Sequence, residues 1–222
     1  MKLVLLRHGE TESNAQHRFL GRADEPLNEA GECQAADAAR ALADGHFSAV
    51  YSSPLSRARE TASLVGDALG VGHRVLDGLR ERDLGDLEGC DIDSYTAAHG
   101  AQFARLVSDA DYAPAGGETQ KAVLHRVSSC LQTVLRQGLA EGWAAVLLVT
   151  HGGVLAPLAG YLGPVPSSRR VRNCHGVCVR YGQSAGLSLD IRRWDVTARA
   201  CADWAGQCLA DGHGGRRAVE TC

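Results

Sequence analysis

Three short apolar runs, each ending abruptly at polar residues and a glycine or proline, constrain this fold more than any other feature. They are residues 2–6 before Arg7-His8-Gly9, residues 47–51 before Ser52-Ser53-Pro54, and residues 144–149 before Thr150-His151-Gly152. Short apolar runs bounded by such punctuation are typical of fully buried strands. The sequence therefore predicts three core strands with polar residues at their carboxyl ends.

Segments with helical periodicity separate these strands. One follows Asn28, a typical N-cap, and its apolar residues are Cys33, Ala36, Ala39, Leu42 and Ala43. The others are predicted from Pro54 to about residue 69, from Gly116-Gly117 through an apolar stripe at 123–135, and after His151 to about residue 162. Residues 177–181 and 187–191 read as two further strands joined by a glycine-containing turn.

Alternating strands and helices indicate the α/β class. We expect a three-layer sandwich, with a mostly parallel central sheet flanked by helices. Ligands of such sheets bind beyond the carboxyl ends of the strands. Arg7, His8 and His151 follow directly on predicted strands, and Arg57 lies one helical turn beyond another. The sequence therefore predicts that these side chains meet in one site.

Composition excludes several classes of function. The chain has 222 residues, 45% of them hydrophobic and 22% charged, which is ordinary for a globular protein. A formal net charge of −3 predicts neither a nucleic-acid nor an anionic-membrane partner. The first apolar run is too short for a signal peptide or a membrane span. The eight cysteines contain no C-x-x-C pair, so we expect reduced thiols and a cytoplasmic location.

The residues at the predicted sheet edge suit transfer of a phosphoryl group. An imidazole at His8, flanked by Arg7 and near Arg57, is expected to stay neutral because like charges disfavour protonation, and a neutral imidazole is a nucleophile. The same arginines can bind a tetrahedral dianion through paired hydrogen bonds. His151 adds a side-chain donor, and Gly152 opens a helix whose N–H groups favour an anion. Phosphoryl transfer requires mainly such positioning and charge stabilisation.

A proton donor for the leaving oxygen is the remaining requirement, and a carboxylic acid can supply it. The segment 79–89 offers Glu81, Asp83 and Glu88 as candidates. The pattern of residues alone does not choose among them.

Four motifs, in this order, resemble those of the histidine phosphatase superfamily, which includes cofactor-dependent phosphoglycerate mutases and small phosphomonoesterases. The motifs are Arg7-His8-Gly9-Glu10-Thr11 with Asn14, Ser53-Pro54-Leu55-Ser56-Arg57-Ala58 with Thr61, Glu81 with Gly85 and Glu88-Gly89, and His151-Gly152-Gly153. Secondary signatures match at residues 21–27 with Gly31, at Pro114 with residues 116–118, and at Asn173-Cys174. The resemblance covers about residues 1–195 and implies a phosphoglycerate mutase-like fold.

The resemblance also implies a role for each matching residue. His8 would be the nucleophile that forms a phosphohistidine, and Glu81 would protonate the leaving alcohol and then activate water. The implied substrate-binding residues are Arg7, Asn14, Gly21, Arg57, His151 and Gly152. Glu10, Thr11 and Glu88 are expected to shape loops. No metal ion and no organic cofactor is implied.

Within the superfamily, the sequence favours hydrolysis over a mutase reaction. Glu81 and His151 lie 70 residues apart, which is shorter than the mutase pattern, and Gly152 is followed by Gly153 where mutases tend to have asparagine. We predict a histidine acid phosphatase-type phosphoric monoester hydrolase acting on a small phosphorylated metabolite. Phosphoglycerate mutase-type transfer is one alternative, and a non-catalytic phospholigand-binding relative is another.

Three weaker motifs receive structural interpretations. Cys174, His175 and Cys178 lack the spacing of a zinc site. Ser184 lies in a G-x-S-x-G motif, but the predicted flanking strands favour a hairpin turn over an esterase elbow. The basic run at 169–172 is interpreted as a solvated loop or an anchor for a distal charge of the substrate.

The predicted domain organisation is a single histidine phosphatase domain over residues 1–205. A helical or loop insertion at about 90–117 would cover the substrate, and residues 206–222 would form a flexible tail. The sequence leaves a homodimer open and does not identify the substrate.

Overall fold

The computed structural model describes residues 1–162, 171–180 and 192–194, which contain a single six-stranded sheet. Its strands are β1 (Lys2–Arg7), β2 (Ala49–Ser52), β3 (His73–Val75), β4 (Ala145–Thr150), β5 (Gly176–Arg180) and β6 (Arg192–Trp194). They lie in the order β3-β2-β4-β1-β5-β6. The strands β1 to β4 pair with one another in parallel, whereas β5 runs antiparallel to both β1 and β6. The prediction of a mostly parallel α/β sheet is confirmed.

The helices follow the predicted alternation, with small differences at their starts. They are α1 (Glu12–Ala15), α2 (Glu29–Leu42), α3 (Ser56–Leu69), α4 (Ile92–Ala98), α5 (Gly100–Ser108), α6 (Gln120–Ala140) and α7 (Gly152–Leu162). Asn28 caps α2 as predicted, because its side chain accepts the N–H of Gly31. Pro54 precedes α3 rather than lying in its first turn, and α6 begins after Thr119, whose hydroxyl caps it.

The predicted buried face of α2 is correct at Ala39 and Leu42 but wrong at its two ends. Cys33 and Ala43 are exposed. The residues that pack inward are Gly31, Ala35, Ala38, Ala39 and Leu42. Gly31 fixes this face, because a β-carbon there would overlap the carbonyl of Glu10. The main chains of α2 and the loop after β1 therefore approach closely enough to require glycine.

The sheet has an apolar core on each side. Leu3 and Leu5 of β1 lie in the core under α6 and α7, whereas Val4 and Leu6 lie in the core under α2 and α3. This alternation follows from the two-residue period of a strand. The stripe predicted at 123–135 of α6 is buried as expected, apart from the half-buried Cys130.

Strand register aligns the three predicted carboxyl ends. Arg7 pairs with Thr150, and Ser52 pairs with Val149. His8 and His151 are therefore the first residues beyond two adjacent, in-register strands. The main-chain N–H of His8 donates to the Thr150 carbonyl at 3.0 Å, which holds the two strand ends together.

A segment outside the sheet, residues 91–119, contains α4, α5 and the loop before α6. It packs on a small third core whose buried members are Phe19, Leu87 and Leu106. The expected helical and loop character of this region is thus observed. We call residues 91–119 the α4–α5 segment.

The last predicted elements are only partly within the described residues. β5 matches the strand predicted at 177–181, whereas the strand predicted at 187–191, Ser184 and the tail at 206–222 lie outside them. β6, which begins at Arg192, was not predicted. The cysteines Cys33, Cys90, Cys130, Cys174 and Cys178 are free thiols. Among the residues that the structure describes, no helix is both long and apolar enough to cross a membrane.

Candidate active site

His8 is buried at the end of β1 with a defined ring orientation. Its Nδ1 lies 2.6 Å from the carbonyl oxygen of Gly9. Because a carbonyl oxygen can only accept, Nδ1 carries the hydrogen and the lone pair of the neutral ring lies on Nε2. Burial, followed by the charges of Arg7 and Arg57, lowers the pKa of His8 well below its ordinary value. The ring is therefore neutral and able to act as a nucleophile at physiological pH.

His151 lies opposite His8, with 5.1 Å between the ring centroids and 58° between the ring planes. Its side chain is fully buried, and neither ring nitrogen has a hydrogen-bond partner within the described part of the chain. Burial and the nearby charge of Arg57 lower the pKa of His151 well below its ordinary value. Buried polar atoms without partners are rare outside functional sites. The His151 ring is thus available to an acceptor that enters the site.

Arg57, in the first turn of α3, is 1% exposed. One Nη donates to the Ala23 carbonyl at 2.8 Å, and the other donates to the Gly21 carbonyl at 2.7 Å. A guanidinium has five N–H donors, so three remain, including a buried Nε without a partner among the described residues. The loop at 21–23 therefore orients Arg57 while leaving donors for an anion.

Arg7 directly precedes His8 in the chain and is half-buried. Its guanidinium donates to the Val171 carbonyl at 2.7 Å and to Oδ1 of Asn14 at 3.5 Å. Asn14 also accepts from the side chain of Asn173 at 2.9 Å. A β-carbon at Gly152 would lie 3.6 Å from Nε of Arg7, so the start of α7 borders the same guanidinium.

Glu81 joins this cluster from the loop after β3. One of its carboxylate oxygens accepts the N–H of Gly153 at 3.0 Å, and the other accepts the N–H of Arg82 at 2.7 Å. The first contact places the carboxylate at the start of α7, two residues beyond His151. The eight residues expected in the site therefore surround one end of the sheet.

Glu88, Asp83 and Glu10 accept hydrogen bonds from residues of the surrounding loops. Glu88 accepts the N–H groups of Arg22 and Ala23, which shapes the loop that orients Arg57. Asp83 accepts the N–H of Gly85 and pairs with Arg22. Glu10 accepts from the side chain of Asn28 at 3.0 Å.

Several supporting residues had no clear signal in the sequence. Arg126 of α6 donates to the carbonyls of Gly78, Arg80 and Glu81, and it binds both carboxylate oxygens of Glu118 at 2.9 Å. Arg22 also donates to the Glu81 carbonyl and to Glu118. A lone arginine on the polar side of an amphipathic helix gives no indication of such contacts.

A cleft of about 570 Å³ opens beside Arg7 and Asn14. His17 and His175 are among its lining residues. Nδ1 of His175 lies 2.9 Å from the Asn173 carbonyl. Arg7, which precedes His8 at the end of β1, therefore also lines this cleft.

The carboxyl edge of the parallel sheet thus holds two neutral imidazoles, two guanidinium groups and a carboxylate. This set of groups is typical of a phosphoryl-transfer enzyme. Comparison with known proteins agrees. The model of the histidine phosphatase superfamily (branch 1) matches residues 3–194. This chain belongs to that superfamily.

Similar proteins include phosphatases and mutases. A glucosyl-3-phosphoglycerate phosphatase of Mycolicibacterium vanbaalenii is 38% identical over 170 residues, which cover 74% of this chain and 75% of that protein. A probable phosphoglycerate mutase of Salmonella paratyphi C is 34% identical over 196 residues, covering 85% and 88% respectively.

A solved structure shows the same architecture. The native structure of a mycobacterial glucosyl-3-phosphoglycerate phosphatase superposes with a TM-score of 0.78 at 30% identity, covering 87% of this chain and 98% of that one. The predicted family and fold are confirmed, as is the expectation of a phosphatase of this superfamily.

Proposed function

We propose that this protein is a histidine acid phosphatase-type phosphoric monoester hydrolase in which His8 is transiently phosphorylated. The observation that carries the proposal is the pair of buried imidazoles. Nε2 of His8 holds a lone pair, and both ring nitrogens of His151 lack a partner among the described residues. Arg7 and Arg57 supply the positive charge that a phosphoryl dianion needs.

In the first step, Nε2 of His8 attacks phosphorus as the bond to the leaving oxygen breaks. Arg7, Arg57 and His151 bind the non-bridging oxygens, while Asn14, Gly21 and Gly152 support this arrangement. The carboxyl of Glu81 gives its proton to the leaving oxygen, so the products are an alcohol, a phosphohistidine and a Glu81 carboxylate.

In the second step, a water molecule attacks phosphorus and the P–N bond breaks. The Glu81 carboxylate takes a proton from that water, which restores the carboxyl for the next cycle. The nitrogen lone pair returns to His8, and inorganic phosphate leaves. Stabilisation of the transferred group by fixed donors is the main contribution of the site.

Trapping the phosphoenzyme tests this proposal. Quenching in alkaline detergent after brief mixing with ³²P-labelled 3-phosphoglycerate should yield a label on the protein that is stable in base and lost in acid. The label should vanish in His8→Ala and persist in His125→Ala, whose histidine is exposed on α6. A label that persists in His8→Ala would refute the proposed nucleophile.

The relatives suggest which substrates to test first. Glucosyl-3-phosphoglycerate and 3-phosphoglycerate both present a primary phosphate ester on carbon 3 of a glycerate, whose carboxylate is carbon 1. We propose a small phosphorylated metabolite of this kind, and comparison of kcat/KM across sugar phosphates and phosphoglycerates would rank the candidates. A flat ranking would contradict a dedicated metabolite substrate.

Mutase-type transfer is the second candidate because a probable phosphoglycerate mutase is among the relatives. The 70-residue separation of Glu81 and His151 favours hydrolysis. Incubation of 3-phosphoglycerate with catalytic 2,3-bisphosphoglycerate separates the two reactions. Released phosphate supports the phosphatase, whereas isomerised product with little free phosphate supports the mutase.

We also propose that the protein acts in the cytoplasm as one domain over residues 1–205. The free thiols at five described cysteines agree with a reducing compartment. Fractionation of cells that produce the protein would test the location, and recovery in the periplasm or medium would contradict it.

A further inference from the structure

Arg82 directly follows Glu81 in the chain, yet its side chain points away into the protein interior. The residue is only 5% exposed. Its three guanidinium nitrogens each donate to a different main-chain carbonyl at 2.8 Å, and the acceptors are Glu118, Leu106 and Tyr112. All three acceptors belong to the α4–α5 segment.

This arrangement requires a planar fork. A buried cation is unfavourable unless hydrogen bonds replace its hydration, and three charge-assisted bonds to carbonyl dipoles do so here. Lysine has a single nitrogen and cannot reach three separated carbonyls with this geometry. An apolar side chain would leave three carbonyl oxygens without a donor. Arg82 therefore crosslinks the end of α5, the following loop and the residue before the cap of α6.

The main chain of the same residue contacts the proposed acid. The N–H of Arg82 donates to a carboxylate oxygen of Glu81 at 2.7 Å. One residue thus binds the Glu81 carboxylate through its backbone and the α4–α5 segment through its side chain. The leaving group of a substrate must lie beside Glu81 to be protonated. The insertion at about 90–117, which overlaps the α4–α5 segment, is expected from the sequence to cover the substrate.

We propose that Arg82 is a positioning residue that fixes Glu81 relative to the α4–α5 segment, so that the acid and the wall beside the leaving group act as one unit. This inference rests on the proposed function, because it assigns Arg82 a part in the protonation step. Phosphoryl binding by Arg7, Arg57 and His151 does not depend on this unit.

The dependence of rate on the leaving group tests the proposal. A displaced acid slows the release of an alcohol, which needs a proton, but hardly affects p-nitrophenolate, which leaves without one. We expect Arg82→Met to lower the rate constant for phosphorylation of His8 by 3-phosphoglycerate about 100-fold, because a displacement of the Glu81 carboxyl by about 1 Å can have an effect of this size. The burst of p-nitrophenol from p-nitrophenyl phosphate should change less than about threefold, since it bypasses the acid.

Arg80→Met is the matched control. Arg80 lies on the other side of Glu81, and its guanidinium pairs with the exposed Asp77. This variant should keep the ratio of the two substrates at the wild-type value. Arg82→Lys should shift the ratio in the same direction as Arg82→Met but less, because lysine restores the charge without the fork.

Equal losses on both substrates, or no loss on either, would overturn the role of Arg82. Should Arg82→Met fail to fold, as judged by circular dichroism, the ratio measured for Arg82→Lys decides in the same way. Failure of the proposed function gives a different result, because the wild-type protein would then form no phosphohistidine with either substrate.

Discussion

The imidazoles of His8 and His151 face each other across 5.1 Å at the end of the sheet, and both are buried beside two arginines. Their pKa values are lowered by burial first and by guanidinium charge second. Two neutral rings can lie at this distance without mutual repulsion, and in the proposed mechanism one acts as the nucleophile and the other as a donor. A bound phosphoryl dianion would favour protonation of His151, since an opposite charge nearby favours the charged form.

Stability should therefore fall as the solution is acidified. In the unfolded chain the two histidines titrate near pH 6.5, whereas in the folded protein their pKa values are lower, so the unfolded state binds more protons below about pH 6.5. Each histidine should reduce the free energy of unfolding by up to about 1.4 kcal/mol per pH unit in that range.

Urea denaturation between pH 7.5 and 5.5 measures this slope. His151→Asn should flatten it by about 1 kcal/mol per pH unit, whereas the exposed His125→Asn should leave it unchanged. Identical slopes in the wild-type protein and His151→Asn would show that His151 is not held neutral in the folded state.

Glu81→Gln should separate the two chemical steps. Glutamine cannot donate or accept the proton, so kcat with 3-phosphoglycerate should fall by about 10²–10⁴. With p-nitrophenyl phosphate the first step needs no acid, whereas hydrolysis of the phosphoenzyme still needs a base. Stopped-flow absorbance should then show a burst of one equivalent of p-nitrophenolate followed by slow turnover.

Glu29→Gln is the control, because Glu29 is at an exposed position of α2, and this variant should show wild-type turnover. Absence of a burst in Glu81→Gln would argue against Glu81 as the base.

Much of the site could be predicted because strand ends carry a strong local signal. The runs that end before Arg7 and before Thr150 are apolar from Leu3 and from Ala144 onward, so each strand is predicted to be buried on both faces of a mostly parallel sheet. Parallel strands end at the same edge, and the pairing of Arg7 with Thr150 is the consequence. The choice of Glu81 over Glu88 came from family resemblance, because both carboxylates lie in the same loop.

The supporting contacts could not be predicted because they join residues far apart in the chain. Arg126 reaches the Glu81 carbonyl across 45 residues, and no periodicity encodes that contact. The predicted α2 face is wrong at Cys33 and Ala43 for a related reason. Alanine occurs on several sides of that helix, so the inward side was decided by the close approach of Gly31 to the loop after β1.

Gly21→Ala should weaken phosphate binding through Arg57. Gly21 has a φ of +55°, and an added β-carbon would overlap the Glu88 carboxylate. The loop must move, and its carbonyl then no longer orients Arg57. We expect at least about a tenfold loss in kcat/KM, because small displacements of a phosphoryl-binding group are costly.

Gly142→Ala is the control for this substitution. Gly142 has a similar φ of +68°, but nothing lies within 4 Å of an added β-carbon. It should lower stability by about 1–2 kcal/mol through backbone strain alone and leave kcat/KM intact. Equal kinetic losses in the two variants would mean that backbone strain, and not displacement of Arg57, explains the effect of Gly21→Ala.

The ion pair of Glu118 and Arg126 should contribute both to the free energy of unfolding and to kcat. The pair is bidentate and mostly buried, with side-chain exposures of 15% and 20%. A double-mutant cycle of Glu118→Gln and Arg126→Met should give a coupling energy of about 1–3 kcal/mol in urea denaturation. Because Arg126 also donates to the Glu81 carbonyl, Arg126→Met should lower kcat for 3-phosphoglycerate more than Glu118→Gln does. Equal effects on kcat would imply that the pair only stabilises the loop and that the direct contact of Arg126 with residue 81 contributes nothing to placing the acid.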